Sequence, residues 1–316
     1  MTGDAARFRQ HATRELGKAI AGQADLIQQL LVVLLTGGHA LLEGVPGTAK
    51  TLAAKSLARL CRLEFQRVQC TPDLMPADIL GVNTFDMAAG KFVFHRGPIF
   101  TDLLLVDEVN RMPPRTQAAL LEPMEERQVT LDGTRCQLSD YFTVFATQNP
   151  VEFEGTYPLP EAQIDRFWFK IRVGYPAPEA ENEMLSRYQR GFDPHHLENA
   201  GIEPVETELL AEARQEVRGV RVETGLFNYV SSVTRRTRDW PSVGLGASPR
   251  ATVYLMLAAK TLAALDGRDY LIPDDVQAAA PLVLRHRILV RPEAELEGIT
   301  PERIIEDVLA SVEVPK

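Results

Sequence analysis

The stretch GVPGTAKT, residues 44–51, follows the apolar run HALLE at 39–43 and leads into the helix-forming segment LAAKSLARL at 52–60. A strand, a glycine-containing turn and a helix in that order gather backbone N–H groups and a helix N-terminus around one point, as an anionic phosphate requires. Gly44 and Gly47 give the turn its freedom, Lys50 brings a charge for the outer phosphates, and Thr51 offers a hydroxyl to magnesium. With Val45, Pro46, Thr48 and Ala49 between them, residues 44–51 form the candidate nucleotide-binding element. Ala49 stands where the common pattern has glycine. A methyl group fits there if the residue already has helical φ, and the helix that follows leads us to expect that conformation.

Holding a nucleotide and hydrolysing it are different tasks, and the second needs a metal ligand, a base and a charge for the transition state. LLLVDE, residues 103–108, reads as a buried strand with Asp107 and Glu108 at its carboxyl edge, where open α/β sheets bind ligands. There Asp107 would hold magnesium through water, and Glu108 would orient and deprotonate the attacking water. FATQNP, residues 145–150, is a strand with a polar end. Asn149 is placed to reach the γ phosphate or the water, with Gln148 assisting, although asparagine before proline is also an ordinary turn pair. LPEAQIDRF puts Arg166 at the end of a short helix, and GASPRATVYL puts Arg250 in the first turn of a long one. A guanidinium at a helix N-terminus opposes the dipole, so Arg250 is expected to meet an anion. An arginine on the phosphoryl transition state contributes roughly 10³ to 10⁵ in rate, which a loop and lysine alone do not supply.

The chain around these motifs has 316 residues, 45% of them hydrophobic, enough for two packed domains. Its 34 basic and 43 acidic residues give a net charge of −9, which disfavours nucleic acid and anionic membrane as partners. Cys61, Cys70 and Cys136 lack metal-ligand or disulfide-framework spacing and read as reduced core thiols. The N-terminus carries mixed charges without an apolar segment, and the longest apolar run, LLVVLL, is too short for a bilayer. A cytoplasmic protein is the expectation.

Short β-type runs alternate with helical patterns up to about residue 175: HALLE, EFQRVQC, LLLVDE, FTVFATQ and WFKIRV. That alternation predicts a parallel sheet covered by helices. Beyond Pro176 and Pro178 helical periodicity takes over, in ETELLAEARQEV, LFNYVSSVTRRTRDW, SPRATVYLMLAAKTLAALDG, PDDVQAAAPLVLRHRI and PERIIEDVLASV. VNTFDMAAGKFVFH and RQVTLDGTRCQL, the latter with Asp132-Gly133 at its turn, read as hairpins projecting from the sheet.

Taken together, the segments AGQADLI, LLEGVPGTAKT, GPIFTDLLLVDEVNR, QAALLEPMEERQVTLDG, FATQNP, EAQIDRF, LGASPRA and GRDYLIPDDV resemble the MoxR family of AAA+ ATPases over nearly the whole chain. The resemblance implies an α/β fold: a P-loop NTPase αβα sandwich with a parallel sheet over residues 1–175, then an all-α lid over 176–316. It implies a ring, usually hexameric, with ATP and magnesium between subunits. By the same match Lys50 and Thr51 are the Walker A pair, Asp107 and Glu108 the Walker B pair, Asn149 sensor 1 and Arg250 sensor 2. Arg166 corresponds to an arginine finger that reaches the neighbour's ATP, and Gly22 and Gln23 fall on the adenine side. The hairpin at 82–95 matches the insert that faces the ring pore, and the one at 127–138 matches the hairpin before sensor 1. The implied activity is that of an ATP-driven chaperone working with a partner that carries a von Willebrand factor A (VWA) domain. Alternatives are a related motor, of magnesium-chelatase or helicase type, and a nucleotide-gated binding module that scarcely hydrolyses.

Other features point to plain structural roles. His195-His196 sits in a polar connector without further ligands. Arg235, Arg236 and Arg238 read as a surface, unaccompanied by the aromatics that nucleic-acid binding uses. Glu122, Glu125 and Glu126, with Arg127 beside them, read as a charged helix face.

Overall fold

A computed structural model describes residues 3–150, 155–206 and 208–315. Helices α1 (Asp4–Leu16) and α2 (Ala24–Thr36) precede strand β1 (Ala40–Glu43), and α3 (Lys50–Leu60) follows it. Then come β2 (Phe65–Gln69), α4 (Pro76–Leu80) and a hairpin of β3 (Gly81–Asp86) and β4 (Lys91–Arg96). Next are β5 (Leu103–Asp107), α5 (Pro114–Ala119), α6 (Leu121–Glu126) and a second hairpin of β6 (Gln128–Leu131) and β7 (Thr134–Gln137). Strand β8 (Thr143–Gln148), α7 (Glu161–Ile164) and β9 (Phe169–Arg172) complete the sheet region.

The five expected strands form one parallel sheet in the order β2-β5-β8-β1-β9. Its inner strands are buried on both faces, which is why LLLV and VFA are continuous apolar runs rather than alternating ones. Alternate residues serve opposite layers. Leu103, Leu105, Phe145, Leu42 and Phe169 join the apolar cluster on one side, and Leu104, Val106, Val144, Ala146 and Leu41 the cluster on the other. Register sets Glu43 level with Gln148, and Gln69 level with Asp107, so the polar strand ends share one edge. The two hairpins form as the sequence suggests. Asp132 and Gly133 both have left-handed φ, 47° and 79°, as a two-residue hairpin turn requires. Asn83 Nδ2 donates to Asp132 Oδ2 at 2.6 Å, tying one hairpin to the other.

The remaining chain forms α8 (Pro178–Gln189), α9 (Leu209–Gly219), α10 (Thr224–Arg236), strand β10 (Val243–Leu245), α11 (Pro249–Leu265), α12 (Pro273–Leu284), β11 (Leu289–Val290), α13 (Pro292–Leu296) and α14 (Pro301–Ser311). Helix α8 was not expected, because its apolar stripe is faint and only Ala180 is buried. The short β10-β11 ladder was not expected either, its strands being too brief to show a period. Residues from α9, α10, α11, α12 and α14 share one apolar cluster with α1, α2 and α3, so the helical part packs directly on one layer of the sheet region. Cys61 and Cys70 are buried free thiols, pushed up to about 12 by burial, whereas Cys136 on β7 is only half-buried.

Candidate nucleotide site

The loop after β1 and the ends of β2, β5 and β8 enclose a cavity of about 370 Å³. Gly44, Pro46, Gly47, Thr48, Ala49, Lys50 and Thr51 line it, opposite Asp107, Glu108 and Asn149. Seven of the expected loop residues and three from distant strands thus meet in one place; Val45 contributes its carbonyl to the loop's internal bonds. Gly44 lies against the Val173 carbonyl, where a Cβ would come within 2.4 Å, and Gly47 turns the chain with φ 83°. Lys50 folds back onto the loop: its Nζ donates to the Gly44 and Val45 carbonyls at 2.7 Å each and to Thr48 Oγ1 at 3.2 Å. Burial lowers the Lys50 pKa, while Asp107 and Glu108 pull it upward. An incoming phosphate would replace those carbonyls with a full negative charge.

Ala49 corrects the expectation made for it. It caps α3 from the left-handed region, φ 63° and ψ 15°, rather than from helical φ. A left-handed step ends the loop here, and the Cβ of Ala49 makes it strained in consequence.

Asp107 and Glu108 are held by residues the motifs did not single out. Thr147 on β8 donates to Asp107 Oδ1 at 2.5 Å, and its oxygen accepts the Glu108 N–H at 2.9 Å. Arg67 on β2 donates to Asp107 Oδ2 from Nε and Nη2, at 3.1 and 2.7 Å. Gln69 Nε2 donates to Glu108 Oε2 at 2.9 Å, and Arg111 pairs with the same oxygen at 3.2 Å. The signal for Arg67 and Gln69 was present in EFQRVQC: two long polar side chains two apart point to one face of a strand adjoining LLLVD. Among the described residues no cluster of three or more His, Cys, Asp or Glu could hold a metal ion. One carboxylate, Asp107, and one hydroxyl, Thr51, are a hard-oxygen set suited to magnesium that takes its other ligands from phosphates and water.

A second cavity adjoins the loop and is walled by Ile20, Ala21, Gln23, Leu52, Tyr188 and Phe192, a largely apolar slot suited to a flat base. Gln23 lines it and donates to the Gly174 carbonyl at 3.1 Å. Gly22 does not line it; it makes a left-handed turn, φ 64°, against Ala180. The α8 side chains of this slot were missed because α8 itself carries little periodicity.

Arg166 and Arg250 are absent from both cavities. They sit together elsewhere, on Glu125: Arg166 Nε lies 3.4 Å from Oε2, and Arg250 Nη2 lies 2.5 Å from Oε1. The anion expected for Arg250 is therefore a carboxylate of the same chain. This corrects the reading of Glu125 as part of a charged face beside Arg127. Arg127 instead donates to the Gly37 and Asp140 carbonyls, and Glu122 accepts from Thr130.

A model of the ATPase family associated with various cellular activities (AAA) matches residues 39–169, and a model of the AAA lid domain matches 235–308. The protein YeaC of Bacillus subtilis is 45% identical, over 96% of this chain and 94% of its own. Chaperone MoxR1 of Mycobacterium tuberculosis is 42% identical, over 97% of this chain and 82% of its own. The solved structure of a candidate ATPase from Cytophaga hutchinsonii superposes with TM-score 0.89 at 40% identity, covering 99% and 97% of the two chains. With its loop, acid pair, parallel sheet and helical lid region, the chain belongs to the MoxR family of AAA+ ATPases.

Proposed function

We propose that this chain hydrolyses ATP at the contact between two copies in a closed ring, hexameric by preference, and spends the turnover on remodelling a partner protein. The observation that carries this reading is the separation within one chain. Loop, lysine, acid pair and Asn149 meet in one cavity, while the two arginines meet outside it on Glu125. Arg67 lines the cavity but is bonded to Asp107, so we assign the transition-state charge on ATP to Arg166 and Arg250 of a second copy. A head-to-tail contact of that kind closes into a ring or grows as a filament.

In the assembled site the loop N–H groups and Lys50 hold the β and γ phosphates, and Asn149 orients the attacking water. Glu108, released from Gln69 and Arg111, takes the proton from that water as it attacks the γ phosphorus, and ADP leaves. Magnesium held by Thr51 and Asp107 would neutralise phosphate charge. Arg166 and Arg250 exchange Glu125 for the neighbour's nucleotide. Residues 1–175 serve as the nucleotide-binding core and 176–316 as the lid. Phe85, Met87 and Phe92 are exposed on the β3-β4 hairpin, as befits contact with protein rather than packing within the chain. We assign that surface to a client protein, as the chaperone relative suggests, and propose a VWA-domain protein as a second partner. A cytoplasmic location is proposed; among the described residues no helix is long and apolar enough to cross a membrane.

Phosphate release measured across protein concentration tests the scheme. Specific activity should rise steeply as copies assemble, Glu108→Gln should bind ATP but turn it over about 10²- to 10⁴-fold more slowly, and Arg166→Ala should remain inactive at every concentration. Equal activity in dilute and concentrated protein, untouched by Arg166→Ala, would refute it.

A further inference from the structure

The segment that carries Arg166 is gripped from the helical part of the chain by one buried guanidinium. Arg287, just beyond α12, has a side chain only 2% exposed. Its Nε donates to Asp165 Oδ1 at 2.7 Å, and Nη2 donates to the Asp165 and Phe167 carbonyls at 2.7 and 2.8 Å. Nη1 donates to the Trp168 carbonyl at 3.0 Å and to the Val283 carbonyl, near the end of α12, at 2.5 Å. Its guanidinium carbon lies 5.2 Å from the centre of the Tyr254 ring, and that ring stacks on Trp168 at 4.2 Å. Neighbouring His286 adds a contact from Nε2 to the Phe167 carbonyl at 2.9 Å.

Asp165 is shared further. Ser248, the residue that caps α11, donates to its carboxylate at 3.3 Å, and Arg250 Nη1 lies 3.9 Å away. The backbone that bears Arg166 and the helix start that bears Arg250 therefore converge on one carboxylate, which Arg287 fixes. Burying a charge costs several kcal/mol in desolvation, and apolar residues of similar volume fill such space at least as well. An arginine that reaches three backbone carbonyls and the one carboxylate of the Asp165–Trp168 segment is thus better explained by placement than by core stability.

We infer that Arg287 is a positioning residue for the two arginines: it acts through Asp165 to set where Arg166 and Arg250 present themselves to the next copy. This rests on the reading of those arginines as acting on a neighbour's nucleotide. It makes the helical part, where Arg287 resides, a determinant of the donating face of each subunit and leaves the accepting face alone.

The test is subunit mixing. Arg287→Met should bind a fluorescent ATP analogue within twofold of wild type, yet lose about 10²-fold in turnover, the scale of an Å-sized misplacement. Mixed with Lys50→Ala, which cannot hold nucleotide but has intact arginines, it should regain activity, because nucleotide on the Arg287 variant then faces good arginines. Mixed with Arg166→Ala it should regain none. The Arg166→Ala with Lys50→Ala mixture is the control. If that control is restored and the Arg287→Met mixture is not, or if Arg287→Met alone keeps wild-type turnover, the inference is overturned. If the control itself is not restored, the two-copy reading fails and takes this inference with it. Should Arg287→Met unfold below the assay temperature, Arg287→Lys, which keeps the charge but cannot make the forked set of bonds, is put through the same mixtures with the same outcomes.

Discussion

Replacing Arg67 with methionine should lower the magnesium concentration that ATP hydrolysis requires. Two bonds from Arg67 occupy Asp107 Oδ2, and both residues line the cavity. If Asp107 holds magnesium as proposed, metal loading loosens that pair, and its strength is subtracted from metal affinity. The Asp107 side chain is only 14% exposed but that of Arg67 is 47% exposed. The pair therefore lies near the upper end of the surface range, about 1 kcal/mol after screening by solvent. Returned to metal binding, about 1 kcal/mol is roughly a fivefold fall in the half-saturating magnesium concentration. Methionine keeps an unbranched apolar stem, so the strand edge stays packed.

The assay is initial phosphate release against free magnesium, at saturating ATP and at a protein concentration where assembly is complete. An unchanged half-saturation would show that Arg67 and the metal do not compete for Asp107. A rise, accompanied by collapse of the maximal rate, would place Arg67 on the nucleotide phosphates and refute the reasoning.

Two stability measurements probe other parts of the site. Ala49→Gly should stabilise the chain by about 0.5–1 kcal/mol in denaturant titration, because left-handed alanine costs about 1–2 kcal/mol and glycine returns part through unfolded-chain entropy; a less stable variant would mean that the loop is not strained. His39 is kept neutral, its Nδ1 accepting the Val144 N–H and its Nε2 facing the Met124 carbonyl, both at 2.9 Å. Burial first, then Arg127, lower it to about 4, although the Met124 carbonyl pulls the other way. The unfolded chain therefore binds this proton first as pH falls, so the stabilisation is complete above pH 6.5 and drains away towards pH 4. Between pH 6.5 and 5 that amounts to about 2 kcal/mol. His39→Gln should lose that much less than the wild type over the same interval, and parallel losses would remove His39 as the cause.

Most of the sheet was legible because its signals are local. Five short β-type runs and an Asp-Gly turn each declare themselves within a few residues, and the strand-turn-helix around Gly44–Thr51 does so within residues 39–60. What escaped depends on pairs that only the fold brings together. Glu125 and Arg250 are 125 positions apart, and nothing in either helix marks them as partners. Arg287 bonds mostly to carbonyl groups, which every residue possesses, so no sequence pattern could point to its target. Thr147 carries no signal beyond its place in a strand with a polar end, yet its hydroxyl bridges both members of the acid pair. Ala49 was misjudged for a different reason: continuity with the following helix was taken to extend one residue too far, when convergence of N–H groups on an anion demanded the opposite hand.

Handedness also explains how two consecutive acids serve one cavity. In an unbroken strand, neighbouring side chains point to opposite faces, so Asp107 and Glu108 would diverge. Glu108 instead takes φ 61° and ψ 53°, and this left-handed step after β5 breaks the alternation. Both carboxylates then line the same space, one level with Gln69 and the other bonded to it. The bond from its own N–H to Thr147 Oγ1 holds the strained residue in place. Strain of about 1–2 kcal/mol at each of Ala49 and Glu108 is thus built into the backbone of the loop and of the acid pair. In the proposed two-copy site, the part within one chain is preorganised by backbone geometry, and Arg166 and Arg250 are held on Glu125. It follows that mutations of the backbone hand at 49 or 108 should act on single copies, whereas mutations around Glu125 should act only where copies meet.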